Sequence, residues 1–228
     1  MAEKGFVSAI VVAAGSSRRM GGINKLLLKI KGKEVLLRSV EAFEKNADTD
    51  EIIIAARRED IPLYAQLLSD CKKVKCIVPG GETRQQSVAA AVAACSKNSV
   101  MLAIHDGARP LVTQDVISRT VAAAFENGAA ACGVHVKDTI KITDESGVIT
   151  DTPDRANLWA VHTPQCFDKK MYESCVASLG ESAKNMTDDC RLVEMSGGKV
   201  KMVEGLYSNI KITTAEDIPL AESLVEEG

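Results

Sequence analysis

Residues 6–14 read Phe6-Val-Ser-Ala-Ile-Val-Val-Ala-Ala14, an almost continuous apolar run that stops at Gly15. Both faces of any strand formed here are apolar, so it must be covered on both sides, as strands of parallel sheets are. Beyond the stop, Gly15-Ser-Ser-Arg-Arg-Met-Gly-Gly-Ile-Asn-Lys25 gathers the cations Arg18, Arg19 and Lys25 among three glycines, Gly15, Gly21 and Gly22. A buried strand that opens into a basic, glycine-rich loop sets the expectation for the whole chain.

Working outward, Val35 to Phe43 has helical spacing, with Leu36, Val40 and Phe43 recurring three and four apart. Glu51 to Ala56 is again a buried strand, Pro62 to Leu68 is helical, and Val74 to Val78 is a short strand ending in Pro79-Gly-Gly81. Thr83 to Cys95 is alanine-rich and helical, and Ser99 to Ile104 is a strand that runs into His105-Asp106. This alternation predicts an α/β chain, a mostly parallel sheet flanked by helices, with right-handed connections. Ligands of such sheets bind beyond the carboxyl ends of the strands, so Gly15 and Asp106 are expected on one edge.

From His135 the period becomes two, through Thr143, with a turn signal at Asp144 to Gly147 and a resumed pattern at Val148 to Thr150. This reads as a hairpin. Its strands carry little core, and a free hairpin is marginal in water, so we expect a protruding β-arm at about 135–157 that packs on another subunit. Leu158 to Val161, helices at 169–179 and 187–195, a strand at 199–203, the segment Ser208 to Thr213 and a closing helix at 214–226 complete a single domain over 1–228.

The 228 residues are 46% hydrophobic and 26% charged, enough for one sizeable core. A formal net charge of -3 argues against a general nucleic-acid or membrane-surface binder, which needs surplus cations, so the basic loop aims at a small anion. Seven cysteines, odd in number and without a C-x-x-C pair, read as reduced filler of a cytoplasmic protein. The start lacks the pattern of a signal peptide, and no run approaches the length of a membrane span.

The loop after the first strand lacks the Lys-Ser or Lys-Thr of a P-loop and the spacing of a dinucleotide fingerprint. Its glycines bare backbone N–H groups and its cations supply charge, which suits a triphosphate; a solvated loop is the plainer reading. Asp106, at a strand end near those phosphates, would suit Mg²⁺, or would cap the following turn. Arg109 is either its ion-pair partner or the holder of a second anionic substrate. Gly80 and Gly81 let a flat base approach and Ser87 can hydrogen-bond it, although Gly80-Gly81 also serves as a simple turn. Lys211 alternates with Ile210 and Ile212 and so emerges from a strand on the opposite face, where a lone lysine is ordinarily solvated. The three histidines have no metal spacing, and no nucleophile elbow G-x-S-x-G is present, which disfavours covalent catalysis.

Taken together, residues 9–25 (AIVVAAGSSRRMGGINK), 79–88 (PGGETRQQSV), 104–112 (IHDGARPLV), 138–142 (DTIKI), 159–167 (WAVHTPQCF), 187–194 (TDDCRLVE) and 204–222 (EGLYSNIKITTAEDIPLAE) closely resemble the 2-C-methyl-D-erythritol 4-phosphate cytidylyltransferase family of the non-mevalonate isoprenoid pathway. The likeness runs through nearly the whole chain. It implies a Rossmann-like nucleotidyltransferase fold, a homodimer with an interlocking β-arm, CTP as nucleotide and Mg²⁺ or another divalent cation.

Carried over position by position, the resemblance implies that Ala13, Ala14, Gly15, Arg19 and Lys25 meet the CTP phosphates, with Arg19 and Lys25 as transition-state cations. It implies Gly81 and Ser87 at cytosine, Asp106 and Gly107 near ribose, phosphates and metal, and Lys211 near the α-phosphate. Arg109, Thr139, Arg155, Thr163 and Thr187 match positions that hold the polyol phosphate, with Arg155 reaching the other subunit's site. The chain departs from many relatives at Val12 and Asn24, where they have Pro, at Ser17, where they have Gly, and at Gly107, where they have Ala. Asp106 is the one carboxylate evident for a metal, which would then be held mainly by CTP. Three rivals are a cytidylyltransferase for another polyol phosphate such as ribitol 5-phosphate, a glycosyltransferase, whose D-x-D motif is missing around Asp106, and a non-catalytic nucleotide-binding regulator.

Overall fold

The computed structural model describes residues 5–15, 24–180, 182, 186 and 188–225. In chain order the elements are β1 (Phe6–Ala13), the short ribbon β2 (Lys29–Ile30) and β3 (Lys33–Glu34), α1 (Val35–Glu44), β4 (Glu51–Ala56), α2 (Ile61–Leu67), β5 (Val74–Pro79), α3 (Arg84–Ala94) and β6 (Ser99–Asp106). There follow α4 (Gln114–Asn127), β7 (Ala129–His135), β8 (Ile142–Thr143), β9 (Ile149–Asp151), β10 (Trp159–Asp168), α5 (Lys169–Leu179), α6 (Cys190–Met195), β11 (Lys201–Glu204) and α7 (Asp217–Leu224).

Seven strands make one sheet in the order β11-β7-β10-β6-β1-β4-β5. All pairings are parallel except those of β10, which runs antiparallel to both β6 and β7. The apolar run of β1 is explained by its alternation. Val7, Ala9, Val11 and Ala13 pack with Val40, Phe43 and Tyr64 on one side of the sheet. Ile10 packs with Val88, Ile104 and Phe167 on the other. Each such buried aliphatic side chain contributes about 1.5–3 kcal/mol, which is why a central strand needs apolar residues at every position.

Helix ends are set by local chemistry. Thr83 caps α3 through a capping box, its hydroxyl accepting from Gln86 N–H while the Gln86 side chain accepts from Thr83 N–H. Thr113 caps α4, and Gly128, at φ 80°, turns the chain out of that helix into β7. Asp217 begins α7 and accepts from the N–H groups of Thr213 and Thr214.

At the amino ends of the strands, opposite the cleft described below, a buried polar knot ties three of them together. The Ser8 hydroxyl lies 2.6 Å from Glu51 Oε1 and 2.7 Å from Ser99 Oγ, and Ser96 donates to Glu51 from both N–H (2.7 Å) and hydroxyl (2.6 Å). Burial alone would raise the Glu51 carboxyl, but these donors hold it below its ordinary range.

Residues 114–134, for which the pattern carried no reading, form α4 and all but the last residue of the core strand β7, whose end, His135, is where the sequence pattern starts the hairpin. Two expectations change. The hairpin is shorter than its alternation implied, with β8 and β9 only two and three residues long. The segment 208–213 is not a strand: Ile212 N–H bonds Ala108 O at 2.8 Å, and the alternation reflects buried Ile212 beside exposed Lys211. No helix among the described residues is long and apolar enough to cross a membrane.

Candidate active site

Strands β1 and β6 are parallel neighbours with Val12 paired to Asp106, so the loops that follow them leave from one edge, as the sequence predicted. Between that edge, the start of α3 and the 211–213 loop lies a cleft of about 490 Å³. Ala13, Ala14, Gly15 and Lys25 line one side, Gly81 and Ser87 another, and Asp106 and Lys211 the floor between them. Eight of the residues singled out from the sequence thus share one cavity.

Asp106 is its electrostatic centre. Its Oδ2 accepts from Lys211 Nζ at 2.7 Å, Arg84 Nε stands 3.5 Å from Oδ1, and Arg109 Nε stands 3.9 Å from Oδ2. Burial would raise this carboxyl, yet Lys211 and Arg84, followed by Arg109, outweigh it and hold Asp106 ionised far below the usual carboxylate range. Arg84, first residue of α3, also grips the fully buried Asp189, to which Tyr172 donates its phenolic O–H at 2.8 Å. Burial works against the Arg84 charge, but Asp189 and Asp106 keep it protonated.

The loop at Gly80-Gly81 is packed against this floor. A Cβ on Gly80 would stand 2.5 Å from Ala14 Cβ and 2.8 Å from Ser87 Oγ, so the close approach of the two loops requires glycine. Ser87 donates to Thr83 O at 2.9 Å and accepts from Gly81 N–H at 3.2 Å, leaving one lone pair for a ligand. Lys25 follows the N-cap Asn24 and donates from Nζ to Ile212 O at 2.7 Å, which ties the first loop to the 211–213 loop.

Gly107 backs the cleft without lining it; its N–H bonds Val12 O at 3.0 Å. Arg109 and Thr163 are buried beside Asp106, with Thr163 Oγ1 accepting from Asp106 N–H at 3.1 Å. Thr139 and Arg155 are exposed on the hairpin region, where Arg155 Nη1 donates to Lys137 O at 3.0 Å; one chain does not bring them to its own cleft. Arg19 and Thr187 lie outside the described residues, as do Arg18, Gly21 and Gly22. Arg84, Asp189, His105 and Asn209 were missed. For Arg84 and Asp189 a signal existed, charges inside stretches already read as loop-to-helix starts, but nothing local named their partners.

A family profile described as 2-C-methyl-D-erythritol 4-phosphate cytidylyltransferase matches residues 7–227. A relative of that name from Caldanaerobacter subterraneus is 46% identical over 220 residues, covering 95% of this chain and 97% of that protein. One from Clostridium botulinum is 43% identical over 223 residues, covering 96% and 97%. Among solved structures, a 4-diphosphocytidyl-2C-methyl-D-erythritol synthase from Anaerococcus prevotii aligns with a TM-score of 0.88 at 33% identity, covering 97% of this chain and 96% of the other. A 2-C-methyl-D-erythritol 4-phosphate cytidylyltransferase from Thermus thermophilus aligns with a TM-score of 0.78 at 30% identity, covering 96% and 98%.

Proposed function

The chain belongs to the 2-C-methyl-D-erythritol 4-phosphate cytidylyltransferase family, and on that premise we propose how its own residues carry the reaction. The enzyme transfers CMP from CTP to 2-C-methyl-D-erythritol 4-phosphate, giving 4-diphosphocytidyl-2-C-methyl-D-erythritol and pyrophosphate. A phosphate oxygen of the acceptor attacks the α-phosphorus of CTP, and the bond from that phosphorus to the bridging oxygen breaks to release pyrophosphate. The attacking group is already an anion, so no enzyme nucleophile is needed. The protein must instead align two anions and offset their charge.

The observation that carries this reading is the convergence of Lys25, Lys211 and the exposed backbone of Ala14 and Gly15 on one cleft. Lys25 and Lys211 receive the phosphates, with Lys211 assigned to the α-phosphate; its ammonium is oriented by Asp106, which supports that role. Gly81 and Ser87 receive cytosine, and Asp106 with Gly107 borders the ribose and phosphates. Arg19 joins the two lysines on the sequence assignment alone. Arg109 and Thr163 take the acceptor side, with Thr187 assigned there from the sequence, and Thr139 and Arg155 reach it from a second subunit.

The donor set is a poor cage for a protein-held metal: Asp106 already shares its charge among three cations, and the described residues contain no cluster of three metal-suited side chains. A divalent cation such as Mg²⁺ would then enter with the nucleotide rather than be held by the protein, and would supply charge to offset that of the triphosphate. The homodimer rests on the β-arm, where Ile142, Val148 and Ile149 are 48%, 61% and 56% exposed. That much apolar surface on an isolated hairpin calls for a covering partner. Seven unpaired thiols, five of them buried, suit the reducing cytoplasm.

Pyrophosphate release measured with each nucleoside triphosphate against a panel of polyol phosphates tests the function. Turnover is expected with CTP and 2-C-methyl-D-erythritol 4-phosphate; equal rates with ribitol 5-phosphate, or none with either, overturn it.

A further inference from the structure

Four buried residues close a ring of hydrogen bonds directly behind Asp106. Thr163 Oγ1–H donates to His105 Nδ1 at 3.0 Å, and His105 Nε2–H donates to Arg109 O at 3.1 Å. Arg109 Nη1 donates to Asn209 O at 2.7 Å, and Asn209 Nδ2 donates to Thr163 O at 3.0 Å. The ring joins the end of β6, the middle of β10 and the loop before α7. Each segment also carries a substrate-facing group: Asp106 next to His105, Arg109 and Thr163 within the ring, and Lys211 two residues after Asn209.

The ring has one possible direction. The Arg109 carbonyl can only accept, so the His105 proton sits on Nε2 and Nδ1 is left as an acceptor. The Thr163 hydroxyl must then give its proton to Nδ1, which leaves its oxygen to accept from Asp106 N–H, as the 3.1 Å contact requires. His105 is fully buried and does not line the cleft; its ring packs on Phe43 at 5.0 Å between centroids.

We propose that His105 is a positioning residue: fixed as the Nε2–H tautomer, it sets Thr163 and the Arg109 backbone relative to Asp106, and so sets the spacing between the acceptor and nucleotide halves of the cleft. This rests on the function proposed above. The Asp106 carboxylate is held by Lys211 and Arg84, which lie outside the ring, whereas Thr163 and Arg109 each make two hydrogen bonds within it, so disturbing His105 falls first on the acceptor side.

The test compares the wild-type chain with His105→Phe, which keeps the packing on Phe43 but removes both bonds, and His105→Asn, whose amide oxygen replaces Nδ1 as the acceptor for Thr163. Each is assayed with CTP and 2-C-methyl-D-erythritol 4-phosphate. His105→Phe is expected to raise KM for the polyol phosphate by about tenfold while KM for CTP changes by less than about twofold, with His105→Asn recovering most of the difference. An unchanged acceptor KM in His105→Phe, or parallel rises for both substrates without rescue by Asn, overturns the proposal. Nitrogen-15 NMR of the wild-type histidines reads the tautomer without any variant having to fold, and an Nδ1–H form of His105 also overturns it. A wild-type chain without turnover overturns the function itself, while the tautomer is still read.

Discussion

Lys211 Nζ lies 2.7 Å from Asp106 Oδ2, so a cation of the cleft and its buried carboxylate neutralise each other before a nucleotide arrives. Asp106 keeps the Lys211 ammonium aimed. Replacing the lysine by methionine keeps the stem and removes the charge, and should cost about 10²–10³ in kcat, as loss of one donor to a developing anion does. Steady-state pyrophosphate release checks this; a kcat near wild type would exclude Lys211 from charge stabilisation.

Lys25 should behave similarly for a separate reason. Its Nζ bonds Ile212 O, so it both supplies charge and ties two loops. Lys25→Ala is expected to keep the fold by circular dichroism and to lose turnover by about 10²-fold or more. Near-normal activity would remove it from the catalytic set.

Arg84 couples the cleft to the interior. Arg84→Ala leaves Asp189 buried with its charge uncompensated, which should destabilise the protein by about 3–5 kcal/mol in urea unfolding. Adding Asp189→Asn should restore much of that loss, giving a large coupling energy in a double-mutant cycle. Additive single effects would show that the pair does not hold α3 to the start of α6.

The parallel half of the sheet was legible because β1, β4 and β6 are covered on both faces and are apolar along their middles, with polar residues only toward their ends. Strand β7 was not, since Ala129-Ala-Ala-Cys-Gly-Val134 has the alanine content of a helix and is extended only through its place between β10 and β11. Of strand β10 the sequence marks only the segment Leu158 to Val161; Pro164, which has no N–H to give a ladder, lies within the observed strand. The chain instead breaks register between Val161 and Gln165, and that irregularity is where Thr163 meets Asp106 N–H. Asp106 and Lys25 announced themselves as charges at strand ends and in glycine-rich loops. Arg84 stood at a helix start but nothing local named its partner Asp189, and His105 and Asn209 gave no sign because Thr163, which both contact, lies on a segment distant in sequence.

The exposed hairpin of β8 and β9 gives a prediction about subunits. If Arg155 serves the neighbouring cleft, Arg155→Ala should raise KM for the polyol phosphate and leave CTP binding unchanged. Mixed dimers of Arg155→Ala with Lys25→Ala should then regain activity, because one of the two clefts has both residues intact. No recovery in mixed dimers, with dimers confirmed by sedimentation, would confine Arg155 to its own chain or to none.

Acid sensitivity should come from two histidines. Burial lowers His105 to about 4, and burial with the Arg109 charge lowers His162 to about 4, against an ordinary 6.5. Between those values the unfolded chain binds more protons than the folded one, so stability rises with pH across that window and is lost as pH falls from about 6.5 toward 4. Thermal midpoints at pH 7 and 4.5 should differ, and His162→Gln should narrow the gap. An unchanged gap would mean that His162 titrates normally.

The knot of Ser8, Glu51, Ser96 and Ser99 sits a strand's length away from Asp106. Because side chains alternate along a strand, a one-residue slip of β6 against β1 would turn Asp106 away from the cleft and bury it in the wrong layer. The knot therefore acts as an index mark, fixing at the quiet end of the molecule which residue faces ligand at the working end.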